Sequence, residues 1–80
     1  MPAKTMDDLT AFIGQTLKAG SLDPDAGMGR TRGWDSLAHV NLILDIEQWA
    51  GVSVPPELVG ELTTLKALAG YLRDLGVLAP

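Results

Sequence analysis

The stretch SLAHVNLILDIEQWA, residues 36 to 50, leaves a chain of 80 residues little choice of architecture. Stepping about 100° per residue from Leu37, Asn41, Asp45 and Gln48 fall on one narrow polar strip, while Leu37, Val40, Leu42, Ile43, Leu44, Ile46 and Trp49 cover most of the remaining surface. A helix so nearly apolar all round is expected at the centre of the fold, with other elements packed on several sides. Gly51 supplies its stop. A chain this short encloses one core, so a single domain over 1–80 is expected.

The flanking segments read as helices too. Thr5 is an N-cap candidate with Asp8 three residues on, a variant of the capping box, and Asp7 and Asp8 suit the positive end of a helix dipole. Met6, Leu9, Phe12, Ile13 and Leu17 then recur at helical spacing, with Gly20 as the stop. From Ser21 to Trp34 periodicity is lost and glycines stand at 27, 29 and 33, which predicts a long loop of functional or mobile character. Pro55-Pro56 presets a short third helix through Leu62, and Thr63 or Thr64 caps a last one carrying Leu65, Leu68, Leu72 and Leu75, with Gly76 behind it. Gly60 and Gly70 fall inside these helices and are read as close helix contacts, or as a sign that the third helix is marginal. The expected fold is all-α: a four-helix bundle with a short third helix and a long loop between helices one and two.

Composition narrows the function. The chain has no cysteine, so neither disulfides nor thiolate metal sites are available, and its single histidine argues against a metal cluster. A net charge of −4 with six scattered Lys and Arg disfavours nucleic acid as a partner. No apolar run is long enough to span a bilayer, and MPAKTMDDL lacks the pattern of a secretion signal, so a cytoplasmic protein is expected. Met1 and the short flanks suit a free-standing protein, and an excised domain would look the same.

Ser36 draws attention because it sits where the glycine-rich loop meets the apolar helix. Read as structure, Asp35 or Ser36 caps the helix. Read as function, Ser36 offers an accessible hydroxyl at a helix N-terminus, where a phosphodiester would be electrostatically favoured. His39, three residues on, raises a Ser/His/acid hydrolase, against which stands the lack of room for an oxyanion hole and a sheltered pocket, so His39 is read as a partly exposed helix residue. Asp45 and Glu47 point to different helix sides and form no acid/base pair.

Residues 33 to 72, GWDSLAHVNLILDIEQWAGVSVPPELVGELTTLKALAGYL, resemble the acyl carrier protein family, which includes peptidyl and aminoacyl carriers. The resemblance rests on Asp35-Ser36-Leu37 at a helix start, the apolar positions Val40, Leu42, Ile43, Leu44 and Ile46, Glu47, Val54-Pro55, and Thr63-Thr64 opening the helix that holds Tyr71. It implies that Ser36 receives 4′-phosphopantetheine from coenzyme A through a phosphopantetheinyl transferase. The thiol of that arm holds acyl or aminoacyl groups as thioesters for a loading enzyme and a downstream synthase or transferase. The chain itself is then a carrier and not an enzyme, and a monomer. Asp35 orients the helix start and assists the transferase, and Leu37 stands exposed beside the arm.

The docking surface implied by the resemblance comprises Leu37, Ala38, Asn41 and the third helix, with Glu47 and Glu57 as its charges. Trp34 either shelters the root of the arm and touches partners, or packs as an ordinary loop aromatic. Ala38, Asn41 and Gln48 stand where family members carry acids, and Pro56 where an Asp is familiar. A carrier for a dedicated biosynthetic pathway, rather than for housekeeping fatty-acid synthesis, is the expectation. The other reading kept open is a small helical protein–protein interaction module in which Ser36 is only a helix cap.

Overall fold

A computed structural model describes residues 3–80, in which four helices follow one another: α1 (Met6–Thr16), α2 (Ser36–Ala50), α3 (Pro56–Val59) and α4 (Leu65–Asp74). Met1, on which the free-standing expectation leans, lies outside these residues. No strand is present among the described residues, so the all-α, four-helix expectation holds.

Local chemistry explains the boundaries. At α1 the Thr5 side chain accepts the Asp8 N–H at 3.1 Å, and the Asp8 carboxylate accepts the Thr5 N–H at 2.8 Å, completing the capping box. The Thr5 backbone donor, followed by the Thr5 hydroxyl and then the nearby Lys4 charge, holds the Asp8 carboxyl below the ordinary value of 3.8. The helix stops at Thr16 rather than at Gly20. After Leu17 the chain turns back across its own last turn: Lys18 adopts φ 56° and the Ala19 N–H reaches the Gly14 carbonyl at 2.8 Å. A Cβ at Gly14 would run into the Gly20 carbonyl, so glycine is what lets the loop lie there.

Thr64 caps α4 through the Ala67 N–H at 3.0 Å, and Gly51, at φ 70°, closes α2 in the left-handed conformation. α3 is shorter than expected, ending at Val59 instead of Leu62. Gly60 and Gly70 are not close contacts, because nothing lies within 4 Å of a Cβ built at either. The marginal character of α3 is the part of that expectation that survives.

The core draws on the three long helices and the connections: Leu9 and Ile13 of α1, Leu42, Ile43 and Ile46 of α2, Leu65, Leu68, Ala69 and Leu72 of α4, and Trp34, Val54, Leu62 and Leu78, with Leu58 and Val59 of α3 packed against it half-buried. Each large aliphatic side chain fully buried here contributes roughly 1.5–3 kcal/mol. The Lys4 N–H donates to the Val77 carbonyl and the Ala79 N–H to the Lys4 carbonyl, tying the chain near its two ends together.

The loop from Ser21 to Trp34 is built rather than loose. The Met28 N–H donates to the Thr63 carbonyl at 2.8 Å and the Leu65 N–H to the Ala26 carbonyl at 2.9 Å, so the loop is laced to the start of α4. Periodicity could not reveal this order, because backbone hydrogen bonds and two buried anchors, Ala26 and Trp34, supply it.

α2 also departs from expectation. Its inner side buries His39, Leu42, Ile43 and Ile46. Its outer side leaves Leu37 at 74%, Val40 at 49% and Leu44 at 54% exposed. The helix is therefore packed on one side and not all round: its inner stripe shares one core with residues of α1, α4 and the loop, while Leu37, Val40 and Leu44 face outward.

Candidate functional site

The first turn of α2 is organised by Asp35. Its extended backbone (φ −102°, ψ −174°) turns its carboxylate onto the Ala38 N–H at 2.8 Å, while its carbonyl accepts the His39 N–H at 2.8 Å. A cap of this kind stabilises a helix by about 1 kcal/mol. The choice between Asp35 and Ser36 as cap is thereby decided for Asp35, and the reading of Ser36 as only a helix cap is corrected.

Ser36 is the first helical residue, exposed, with its hydroxyl bonded to nothing among the described residues. The amide N–H groups of Ser36 and Leu37 are likewise without an acceptor among the described residues. A reachable hydroxyl thus stands beside two orphan donors at the positive end of a 15-residue helix. A phosphodiester esterified to Ser36 meets favourable charge and hydrogen-bond donors, so the residues present suit a phosphopantetheine group.

Three residues on, the opposite has happened. His39 is 2% exposed, not the partly exposed residue its place beside Ser36 suggests. The Trp34 Nε1–H donates to its Nδ1 at 3.0 Å, and since indole can only donate, Nδ1 must be the acceptor. The ring hydrogen then sits on Nε2, which donates to the Val59 carbonyl at 2.8 Å. Both nitrogens are spent on structure, and the side chain points into the core while Ser36 is exposed. A Ser/His hydrolase is excluded by that arrangement.

Trp34, 1% exposed, is a core anchor, so its assignment as a docking residue is corrected. Loop, α2 and the end of α3 are locked together through Trp34, His39 and Val59.

The remaining candidates divide. Leu37, Asn41 and Glu57 are exposed and Ala38 half-buried, as a contact surface requires. Glu47 is half-buried and its carboxylate accepts the Val54 N–H at 2.7 Å, so its charge holds the turn after α2 instead of standing free for a partner. Val40 and Leu44 were missed. Their signal was the i, i+3, i+7 spacing from Leu37, which places all three on one helix side next to Ser36.

Among the described residues no group of three His, Cys, Asp or Glu is placed to hold a metal ion, and no helix is long and apolar enough to cross a membrane.

Comparison with known proteins agrees with this geometry. A family model described as a phosphopantetheine attachment site matches residues 7–72. The chain is similar to the acyl carrier protein of Streptomyces coelicolor, 34% identical over 73 residues that cover 91% of this chain and 78% of that protein. It is also similar to the acyl carrier proteins of two Helicobacter pylori strains, G27 and HPAG1, each 30% identical over 70 residues covering 85% of this chain and 90% of theirs.

Proposed function

The chain belongs to the acyl carrier protein family, whose members are carriers and not enzymes, and on that premise we propose that Ser36 is the residue to which the family's 4′-phosphopantetheine group is attached. When bound, that group supplies a flexible arm ending in a thiol on which acyl or aminoacyl groups are held as thioesters. The chain, without cysteine, has no thiol of its own to compete with it.

The observation that carries this reading is the free Ser36 hydroxyl beside the orphan N–H groups of Ser36 and Leu37. Asp35 fixes the helix start through the Ala38 N–H and so holds the hydroxyl in place. The buried Trp34–His39 pair supports the same turn from within. None of these residues performs acyl chemistry, which belongs to the partners: a phosphopantetheinyl transferase, a loading enzyme for acyl or aminoacyl groups, and a downstream synthase or transferase.

Those partners dock on the outer side of α2, through Leu37, Ala38, Val40, Asn41 and Leu44, with Glu57 on α3. Among the residues of that side only Asp45 carries a charge. Apolar complementarity therefore outweighs charge there, which favours a dedicated biosynthetic pathway over housekeeping fatty-acid synthesis. Equal turnover of its acyl form and of a fatty-acid carrier by standard fatty-acid synthase enzymes would count against that assignment. The carrier unit is the single domain over 1–80, monomeric and cytoplasmic.

The test of the attachment is intact mass spectrometry after incubation with coenzyme A and a broad-specificity phosphopantetheinyl transferase. One arm's mass is expected on the wild type and none on Ser36→Ala. An unmodified wild type that is nevertheless folded and helical would refute the carrier reading and leave the interaction module, free of the Ser36 cap it once assumed.

A further inference from the structure

The six cations of this acidic chain are unequally employed. Lys4 lies 4.7 Å over the Trp49 ring, Lys66 pairs with Asp25 at 3.3 Å, and the Arg73 Nε–H donates to the Ala79 carbonyl at 3.2 Å. Lys18, Arg30 and Arg32 have no such partner among the described residues, and all three are exposed.

These three share one feature of the surface. An open cleft of about 650 Å³ between the end of α1 and the long loop is lined by Lys18, Arg30 and Arg32. A second hollow, of about 360 Å³, continues from Arg30 and Arg32 through Gly33 and Trp34 to Asp35. The two hollows share residues 30 to 33 as lining, and together this groove-like surface extends from Asp35, one residue before Ser36, to Lys18. Two carboxylates face it. Asp23 lines the far end, and Asp35 the near end, where its carboxylate accepts the Ala38 N–H.

We propose that this groove holds an anionic group carried on the arm of Ser36, either the free carboxylate of a dicarboxylic acyl cargo or the arm's own phosphodiester. The inference rests on the carrier reading of Ser36 and goes beyond it by naming a class of cargo. Guanidinium groups suit carboxylate and phosphate, which they bind through paired N–H donors. Exposed pairs of this kind are individually weak and screened by salt. A tethered anion, however, is presented at an effective concentration on the order of millimolar, so a weak contact is populated without help from a partner. The concavity of the groove and its start beside Ser36 favour an arm-borne group over an acidic protein surface.

The experiment loads the chain directly, using the transferase with coenzyme A, glutaryl-coenzyme A or pentanoyl-coenzyme A. The two acyl groups match in carbon count and differ in the terminal carboxylate. Backbone and arginine Nε–H resonances are compared across the unmodified, holo, glutaryl and pentanoyl forms. The glutaryl form is expected to shift Lys18, Arg30 and Arg32 relative to the holo and pentanoyl forms. The shifts should vanish in about 0.5 M salt and in the triple variant Lys18→Gln, Arg30→Gln, Arg32→Gln, whose exposed positions keep the fold intact.

If the holo form already shifts Lys18 and Arg30 in a salt-sensitive way and glutaryl adds nothing, the phosphodiester is the bound anion. Coincident spectra of all four forms at these residues, with the arm confirmed by mass, overturn the inference alone. A chain that takes no arm overturns the carrier reading, and this inference with it.

Discussion

The two sides of α2 are built from the same kinds of residue and do opposite things. Leu42, Ile43 and Ile46 are buried, while Leu37, Val40 and Leu44 are 74%, 49% and 54% exposed. The polar residues divide in the same manner: Ser36 stands free, whereas His39, three positions on, is locked between Trp34 and Val59. Hydrophobicity thus does not distinguish a core from a contact surface, and a polar side chain near a site is not thereby part of it. Which side faces inward is decided by what the rest of the chain can cover.

The sharpest way to break this comparison is truncation on each side. Leu42→Ala should cost about 2–5 kcal/mol, read by denaturant unfolding, and Leu44→Ala within about 0.5 kcal/mol. Leu44→Ala should instead slow acyl transfer by a partner enzyme. Equal stability losses would show that the outer side is covered as well.

Trp34→Phe keeps an aromatic anchor but removes part of its buried volume and leaves the His39 Nδ1 without its donor, an expected loss of at least about 1–3 kcal/mol. A neutral result would mean that water satisfies the ring. Asp35→Ala removes the cap and should lower stability by about 1 kcal/mol, with Asp35→Asn retaining most of it. The thermal midpoints of the two variants measure the difference.

The smallest effect lies far from the site and serves as its control. Because folding depresses the Asp8 carboxyl below 3.8, the capping box contributes its full stability above that value and loses it as pH falls through the lower folded value. Asp8→Ala should be less stable than wild type at neutral pH. The gap should close at pH well below 3.8, while the unfolding difference between Leu42→Ala and Leu44→Ala persists.

Much of this was legible in the residues. Thr5 with Asp8, the span of α2, Gly51 and the Thr64 cap follow from side-chain chemistry within a few positions of the chain, and all are found in place. What was illegible depends on distant chain. Gly60 and Gly70 looked like close contacts because they interrupt helical patterns, yet Gly14 and Gly27 are the crowded ones, approached by the Gly20 carbonyl and by Thr63 and Thr64. The order of the long loop comes from backbone bonds to Thr63 and Leu65, which leave no periodic trace.

At the site, Asp35-Ser36-Leu37 was readable as a helix start, with the hydroxyl and the exposed leucine where expected. The roles of Trp34, His39 and Glu47 were not, since each is set by a partner five to twenty residues away: His39, Val59 and Val54.

The most direct test of the central claim locates the arm. Cleavage after Lys and Arg releases residues 33–66, which contain Ser36 and Ser53, separate from the fragment holding Ser21. Tandem mass spectrometry of the transferase-treated protein should place phosphopantetheine on Ser36 and leave Ser21 and Ser53 unmodified. An arm on either of those residues, or none on a folded chain, would contradict the assignment of the free hydroxyl at the start of α2 as the site of attachment.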